Sequence, residues 1–387
     1  MKYNLTQSTW GEEEIKAINN VIESGNYTMG ERVKEFEKKF ADYFKSKYAV
    51  MVNSGSSANL LGIAALFFKK QNPIKPGDEV IVPAVSWSTT YSPLQQYGLK
   101  LKFVDIDLFT LNYDIKKLEK AISPKTRIIL AVNLLGNPNE FDKIKQMIDN
   151  KNIVLFEDNC ESMGAKYGDT YTGTIGDIGT FSMFYSHHIC TMEGGMVLTD
   201  DIEIYHIMLS LRAHGWTRDL PEKNHLCKKD KNEFNESFKF ILPGYNLRPL
   251  EMSASIGLIQ LEKLSSFIDI RRENAKIFKT LFQSSEKITI QKEIDFSSWF
   301  GFSIILDKKY DRNVVLDKLN KNGIATRPIV SGNILNNPML KYFDYEVSDK
   351  IINAEIISNQ GFFVGNSHLD LKKELEFLKN NLYESLY

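Results

Sequence analysis

Short apolar runs rich in β-branched residues alternate with amphipathic segments along the first half of the chain, and this alternation constrains the fold most strongly. The runs scarcely alternate between apolar and polar residues, which is typical of strands buried on both faces of a sheet. They cover residues 48–52, 79–82, 101–105, 128–133, 153–157, 179–184 and 196–199, after two helical patterns at 12–24 and 31–46. The order predicts an α/β fold with a seven-stranded, mostly parallel sheet between helices.

The residues after this sheet predict a second, smaller part of the molecule. A polar stretch over 222–236 is followed by LPGYNLRP and by a long helical pattern from Leu250 to about Phe282 without an internal proline. Further on, strands are predicted in KITIQ and WFGFSIIL, and helices near 314–322, 350–359 and the C-terminus, which indicates a small α+β domain. We expect a large domain over 1–247, with the long helix and the small C-terminal domain over 248–387.

The charge balance and the cysteines exclude several classes of protein. The 48 basic and 49 acidic residues nearly cancel, so we expect neither nucleic acid nor a membrane as partner, and any phosphate must be bound locally. No stretch approaches the roughly 20 apolar residues of a spanning helix, and the start does not resemble a signal peptide, which predicts a cytoplasmic protein. The three cysteines lack the paired spacings of disulfide or zinc sites, and they are too few to ligate an iron–sulfur cluster alone.

The segment SGSSAN directly follows the first predicted strand and opens a helix. Gly55 lets the backbone approach a ligand closely, while Ser56 and Ser57 offer hydroxyl and N–H groups, so the segment is a candidate phosphate cradle. Taken alone, such a segment is more often a serine N-cap after a tight turn, because such turns are common. The spacing to the motifs described next favours the cradle.

Two further strand ends carry candidate site residues. LFEDNCES places Glu157 and Asp158 at the carboxyl end of a buried strand, where open α/β sheets bind ligands, and Glu161 lies one short turn beyond. Such a carboxylate could keep a pyridine nitrogen protonated, or it could cap a helix or form an ion pair. Trp87, in SWSTTYSPL, could stack on an aromatic cofactor or pack between helix and sheet.

The segment GTFSMFYSHHICTMEGGMVLTDD is the most informative one. It places Ser182 on a strand, His187 and His188 in the turn that follows, and a glycine pair at the start of the next strand. A lone histidine is more often structural than catalytic. A neutral imidazole in a site could nevertheless shuttle protons, because histidine titrates near neutral pH.

In this order the motifs resemble the fold-type I, pyridoxal-phosphate-dependent aminotransferase and dehydratase family that modifies nucleotide-linked keto sugars. In that family a segment FSFxxxKxxTxGEGG supplies the Schiff-base lysine, and FSMFYSHHICTMEGG aligns with it without gaps. His187 then stands at the lysine position, and Met192 replaces a usual glycine. Within the family this replacement marks 3-dehydratases, and the segments STWGEEE, NYTMGE, NLLGNPN, RAHGWTRDLP, LPGYNLRPLEMS and RPIVSGN resemble the branch that acts on GDP-linked sugars without an iron–sulfur cluster.

The resemblance implies a role for each candidate residue. Gly55, Ser56 and Ser182 would hold the phosphate of pyridoxal 5'-phosphate or pyridoxamine 5'-phosphate. Trp87 would stack on its ring, Asp158 would pair with the pyridine nitrogen, and Glu161 would lie near the ring hydroxyl. Asn246 would reach the phosphate from the other subunit of a homodimer with shared active sites.

The resemblance also implies how substrates are bound. Arg218 and Arg248 would contact the amino-donor carboxylate or the sugar nucleotide, and a loop of Tyr27, Thr28 and Met29 would contact the substrate. The ordinary alternatives are surface arginines paired with acids, and a turn that ends a helix after Gly25.

The activity implied is removal of a C3 hydroxyl group. The cofactor would take an amino group from L-glutamate, which leaves as 2-oxoglutarate, and His187 would move a proton at the cofactor C4′ carbon so that the C3 hydroxyl of the sugar leaves. Hydrolysis would then give ammonia and a 3,6-dideoxy-4-keto sugar. The expected substrate is GDP-4-keto-6-deoxy-D-mannose or a related GDP-linked 6-deoxy-4-keto heptose. The alternatives are an aminotransferase that lacks the lysine and a non-catalytic pyridoxal-phosphate-binding relative.

Overall fold

Thirteen strands are present in the computed structural model, which describes residues 1–386. In chain order they are β1 (Tyr48–Val52), β2 (Glu79–Pro83), β3 (Lys100–Val104), β4 (Thr126–Val132), β5 (Val154–Asp158), β6 (Lys166–Tyr167), β7 (Thr170–Tyr171), β8 (Ile178–Ser182), β9 (Gly195–Thr199), β10 (Ile288–Ile290), β11 (Gly301–Leu306), β12 (Tyr345–Val347) and β13 (Gly361–Gly365). The central sheet has the order β1-β9-β8-β5-β4-β2-β3-β12. It is parallel except for β9, which runs antiparallel to both of its neighbours.

Twelve α-helices accompany the strands in the described part of the chain. They are α1 (Glu12–Ser24), α2 (Glu31–Phe44), α3 (Gly55–Phe67), α4 (Ser88–Gln96), α5 (Ile115–Ala121), α6 (Phe141–Ile148), α7 (Ile202–Arg212), α8 (Glu233–Glu236), α9 (Glu251–Phe282), α10 (Arg312–Lys321), α11 (Asn353–Gln360) and α12 (Lys372–Ser385). Short 3₁₀ turns cover Leu134–Gly136, Ile334–Asn336 and Pro338–Tyr342.

The α/β fold with a mostly parallel sheet is confirmed, and all seven predicted strands are present within a few residues of their predicted bounds. An eighth strand, β12, extends the sheet beside β3. The sequence does not reveal it because its three residues are largely exposed and show no apolar run. The predicted boundary after residue 247 stays a prediction, and β12 shows that the chain beyond it returns to the large sheet.

Two layers of helices cover the two faces of the sheet because successive strand residues point to opposite sides. On one face, side chains of β1, β2, β4 and β5 pack against α3, α4 and α7. On the other face, they pack against α2 and α9 at one end and against α5 and α6 at the other. Helix α3 lies very close to the sheet, since a Cβ atom on Gly62 would stand 2.8 Å from the ring of Phe156.

The long helix α9 connects the sheet to the C-terminal part of the chain. Its first half packs against α1 and α2, and its second half contributes Phe278 and Phe282 to a separate apolar cluster. That cluster also contains the antiparallel sheet β10-β11-β13 and helices α10 and α12. Helix α9 therefore connects the apolar cluster around the small sheet with the apolar cluster beside the large sheet. None of the described helices is long and apolar enough to cross a bilayer.

Candidate active site

A cavity of about 420 Å³ lies where several parallel strands of the large sheet end. Strands β1, β8, β5, β4 and β2 all run in one direction, so the residues that follow them meet at one edge. The small sheet and the segments beside it close the opposite wall, with Phe363 from β13, Phe300 just before β11, and Arg327. Of the predicted residues, the cavity is lined by His187, Gly55, Ser56, Trp87, Asp158, Glu161 and Ser182.

The start of α3 forms an anion cradle on this edge. Ser54 is the N-cap, and its Oγ accepts a hydrogen bond from the Ser57 amide at 3.1 Å. The amides of Gly55 and Ser56 are left without intrahelical partners, as at every helix start. A Cβ atom on Gly55 would stand 2.5 Å from Cβ of Ser182, so only glycine lets the helix start approach that hydroxyl. The segment therefore contains both an N-cap, Ser54, and the candidate phosphate cradle at Gly55 and Ser56.

The two adjacent acids at the end of β5, Glu157 and Asp158, have different surroundings. The Glu157 side chain is fully buried and accepts hydrogen bonds from the amides of Gly173, Ile175 and Gly176 at 2.7, 2.7 and 2.6 Å, which makes it structural. Asp158 ends β5 and faces the cavity.

Two neighbours fix the Asp158 carboxylate. Its Oδ2 accepts from Asn59 Nδ2 at 2.9 Å and from Thr90 Oγ1 at 2.7 Å. These donors come from α3 and α4, so two helices hold the carboxylate in one orientation. A carboxylate fixed in this way can pair with a cationic ring nitrogen placed beside it.

Glu161 forms another part of the cavity wall, close to the 3₁₀ turn at Leu134–Gly136. Its Oε2 accepts a hydrogen bond from the Leu135 amide at 3.0 Å. Burial raises the pKa of Glu161 to about 7, although that hydrogen bond lowers it, and the charge of Asp158 raises it further. Glu161 can therefore hold or release a proton near neutral pH.

Trp87 stands immediately before α4 at the mouth of the cavity. Its side chain is 59% exposed, so it does not pack between helix and sheet. A flat, exposed indole beside a cavity is suited to stacking on an aromatic ligand.

The two histidines of the turn after β8 differ in accessibility. His188 is fully buried, and its Nε2 lies 3.2 Å from the carbonyl oxygen of Ser298. His187 lines the cavity, and its Nδ1 is buried without a hydrogen-bond partner among the described residues. Burial lowers the pKa of His187 to about 4, and the positive charge of Arg271 adds to this effect. At neutral pH its imidazole is neutral and able to accept a proton.

The other predicted residues do not line this cavity. Tyr27, Thr28 and Met29 form a turn against the start of α9, where the Tyr27 carbonyl accepts from the Glu251 amide at 3.0 Å. Arg248 Nε donates to Asn246 Oδ1 at 3.0 Å on the same side of the molecule.

Arg218 likewise lies away from the cavity. Its guanidinium stands 4.0 Å from the centre of the Trp216 ring and 3.8 Å from the Asp219 carboxylate. The roles assigned to all these residues by resemblance stay predictions.

Sequence reasoning missed several residues that line the cavity, and two of them bear directly on its chemistry. Arg327, in the segment RPIVSGN, is the one lysine or arginine among the described lining residues, and no side-chain hydrogen bond or ion pair holds it. Phe300, at the start of the WFGFSIIL strand, packs its ring against His187 at a centroid distance of 5.2 Å. Phe300 directly precedes β11 and the backbone of Arg327 pairs with Phe363 of β13, and no local pattern in the sequence marks either residue as part of the site.

Comparison with known proteins identifies the family. The DegT/DnrJ/EryC1/StrS aminotransferase family matches residues 8–374. The chain is 58% identical over 386 residues to GDP-4-keto-6-deoxy-D-mannose 3-dehydratase of Yersinia pseudotuberculosis, covering 99% of this chain and 98% of that protein.

Solved structures agree with this match. The structure of E. coli GDP-4-keto-6-deoxy-D-mannose-3-dehydratase with bound hydrated PLP superposes with a TM-score of 0.97 at 56% identity and covers 99% of both chains. A structure of GDP-4-keto-6-deoxymannose-3-dehydratase with a trapped PLP-glutamate geminal diamine also has a TM-score of 0.97 at 56% identity, over 98% of this chain and 100% of that chain. By sequence and by structure, the chain belongs to the DegT/DnrJ/EryC1/StrS aminotransferase family.

Proposed function

We propose that this protein is a pyridoxal-phosphate-dependent 3-dehydratase of a GDP-linked 4-keto-6-deoxy sugar, with L-glutamate as amino donor. The observation that carries the proposal is a neutral histidine, His187, at the family's lysine position in a cavity that fits the cofactor. The overall reaction balances without another reductant. L-Glutamate and the sugar nucleotide give 2-oxoglutarate, ammonia and a 3,6-dideoxy-4-keto sugar, with two electrons passing from glutamate to C3.

The cavity matches the cofactor part by part. The cradle at Gly55 and Ser56, with the Ser182 hydroxyl, would hold the phosphate. The fixed carboxylate of Asp158 would pair with the pyridine nitrogen, and the exposed indole of Trp87 would cover the ring face. When bound there, pyridoxal phosphate supplies an electron sink that lets a carbon–oxygen bond break beside the amino-bearing carbon.

The residues of the chain supply proton transfer rather than covalent attachment. No lysine is found among the described lining residues, so the cofactor would be held noncovalently. His187 is neutral at working pH, and a ring nitrogen would take up the proton that moves as the C3 hydroxyl leaves. Glu161 would hold a proton close to the ring hydroxyl.

Identification of the sugar rests on the relatives. GDP-4-keto-6-deoxy-D-mannose is named for the relative of Yersinia pseudotuberculosis, and a GDP-linked 6-deoxy-4-keto heptose would differ only at the edge of a cavity.

We further propose a homodimer in which Asn246, Arg248 and the turn at 27–29 complete the partner's site. Their place outside the cavity of their own chain supports this assembly.

A panel of GDP-linked 4-keto sugars incubated with L-glutamate tests the reaction. We expect ammonia, 2-oxoglutarate and a 3-deoxy sugar identified by NMR. In deuterium oxide the product should carry deuterium at C3, because the new hydrogen comes from water. Nitrogen retained on the sugar would identify an aminotransferase instead, and cofactor binding without turnover of any sugar would identify a non-catalytic relative.

Replacement of His187 by asparagine tests the base directly. Loss of one positioned general base lowers rates about 100- to 10,000-fold, and we expect kcat to fall by that amount while cofactor binding is retained. His188→Asn provides the comparison, with folding checked by circular dichroism. The assignment is wrong if His187→Asn turns over like the wild type while folded His188→Asn is inactive.

A further inference from the structure

Nδ1 of His187 lacks a well-formed hydrogen bond of the kind that usually orients a catalytic imidazole. In most such sites the second ring nitrogen donates to a carboxylate or a carbonyl group, which fixes the ring orientation. Here Nδ1 of His187 is buried and has no partner among residues 1–386. Its neighbour His188, by contrast, is held by the Ser298 carbonyl. The Phe184 carbonyl lies close enough to the imidazole to raise its pKa, but no hydrogen bond of good geometry fixes the ring, so packing must contribute to its orientation.

Two aromatic rings touch His187. The Phe300 ring meets it edge to face, with centroids 5.2 Å apart and planes at 61°. Phe184 meets it from the other side at 6.1 Å and 78°, but Phe184 is 45% exposed. Phe300 is nearer and more buried, and it also packs on His188 at 5.8 Å. Of the two rings, Phe300 therefore restricts the orientation of the His187 ring more strongly.

The backbone that carries Phe300 is fixed to the large domain. We call residues 297–300 the strap. The Ser298 amide donates to the Gly136 carbonyl at 2.9 Å, and the Phe300 amide donates to the Leu135 carbonyl at 3.0 Å. A Cβ atom on Gly136 would stand 2.4 Å from the Trp299 nitrogen, so this close approach requires glycine. Trp299 itself has a φ of 48°, which is unusual for a bulky residue and requires firm support from its surroundings.

A buried arginine holds the strap from the other side. Arg271 on α9 is 2% exposed, and its Nη1 donates to the carbonyls of Trp299, Phe300 and Asn366 at 3.4, 3.2 and 3.1 Å. No carboxylate lies within ion-pair distance of it in the described part of the chain. Burial lowers the pKa of Arg271 to about 10, so it remains charged at neutral pH. A buried cation without a counter-ion is costly, and three carbonyl oxygens offset that cost only while the strap stays in place.

We infer that Phe300 is a positioning residue for His187 and that Arg271 anchors the strap that carries it. The inference deepens the proposed function, since it takes His187 to be the base. Through Phe300, the segment that leads into β11 of the small sheet contacts a histidine in the turn that follows β8 of the large sheet. Misplacing a reacting group by about 1 Å can cost 100-fold in rate, so the contact bears on kcat.

Three variants separate positioning from simple loss of an aromatic side chain. Phe300→Leu removes the ring edge but keeps an apolar side chain, and Phe300→Tyr restores a ring. Phe363→Leu is the matched control, because Phe363 also lines the cavity from the small sheet but has no ring contact with His187. We expect kcat of Phe300→Leu to fall about 10- to 100-fold with KM for the sugar nucleotide changed less than about threefold. Phe300→Tyr should recover most of the rate. The fall in kcat relative to the change in KM should differ between Phe363→Leu and Phe300→Leu.

A second readout does not depend on turnover. In cofactor-free protein labelled with ¹⁵N-histidine, the His187 imidazole signals should shift or broaden in Phe300→Leu and stay unchanged in Phe363→Leu. If Phe300→Leu does not fold, Arg271→Lys replaces it, because the lysine side chain is one bond shorter and its ammonium cannot occupy the position of Nη1. Unchanged His187 signals together with wild-type kcat in Phe300→Leu would overturn the inference. An active His187→Asn variant would instead overturn the base assignment, and the NMR result would still decide the positioning.

Discussion

At the residue scale, the cavity separates side chains of the same type by their surroundings. Glu157 and Asp158 are adjacent, yet the Glu157 carboxylate accepts hydrogen bonds from three backbone amides while Asp158 faces the cavity. The two histidines differ in the same way, since His188 is held by a buried hydrogen bond while His187 lines the cavity. In each pair the structure leaves one residue free to meet a ligand.

The buried neutral state of His187 makes folding stability depend on pH. Burial lowers the pKa of its side chain from about 6.5 to about 4. Between these values the unfolded chain binds the extra proton and the folded chain does not, so the folded state loses stability as pH falls from about 6.5 toward 4. Urea unfolding midpoints of cofactor-free protein, measured from pH 7 to 4.5, should decline less steeply for His187→Asn than for wild type. Parallel pH curves for the two proteins would contradict this assignment.

Arg327 provides a second prediction for a single residue. It is the one permanent cation among the described cavity-lining residues, and both proposed substrates are anions. A charge-assisted hydrogen bond contributes about 1.5–3 kcal/mol, so Arg327→Gln should raise KM for L-glutamate about 10- to 100-fold. Steady-state kinetics with Arg248→Gln as comparison test this. An increase confined to Arg248→Gln would instead indicate that the partner subunit binds the donor carboxylate.

At the scale of elements, the start of α3 shows how a helix end becomes a binding site. Gly55→Ala would place a methyl group 2.5 Å from Cβ of Ser182 and push the helix start away from that hydroxyl. We expect the affinity of cofactor-free protein for pyridoxal phosphate to fall about tenfold or more, measured by fluorescence titration. Gly11→Ala is the matched control, since Gly11 precedes α1 and its nearest neighbour would lie 3.8 Å from the new Cβ. Equal affinities for the two variants would exclude the cradle at Gly55.

The elements also show what the sequence can and cannot reveal. Buried parallel strands have long apolar runs, so the pattern alone places Asp158 at a strand end, whereas the cofactor role of Ser182, inside the predicted strand 179–184, came from the resemblance. Strand β12 has no such run and depends on its neighbour β3 for pairing. Phe300 contacts residues more than a hundred positions away, and Arg327 lines a cavity formed mostly by the first half of the chain, and periodicity carries no information about such proximity. The role of His187 depended on resemblance, because a histidine in a turn is usually structural.

At the scale of the whole molecule, the residues outside the cavity raise the question of assembly. Asn246 and Arg248 form one surface group with the turn at 27–29, next to the start of α9. The Leu247 carbonyl accepts from the Asn53 amide at 3.1 Å, so this group lies directly behind the segment that leads into the cradle. A two-fold axis near that surface would bring the group of one subunit to the cavity of the other. Such an arrangement would explain how Asn246 and Arg248 could have the roles that the family resemblance implies although they lie outside the cavity of their own chain.

Complementation between two inactive variants tests that arrangement. If each site takes His187 from one subunit and Asn246 from the other, a mixed dimer has one site with both lesions and one site with neither. Random reassociation of His187→Asn and Asn246→Ala subunits should therefore restore about a quarter of wild-type activity, and purified doubly tagged dimers should show about half. Ammonia release with L-glutamate and the keto sugar gives the measurement, after Asn246→Ala alone is shown to be folded and inactive. Doubly tagged dimers no more active than either parent would mean that each site is contained within a single chain.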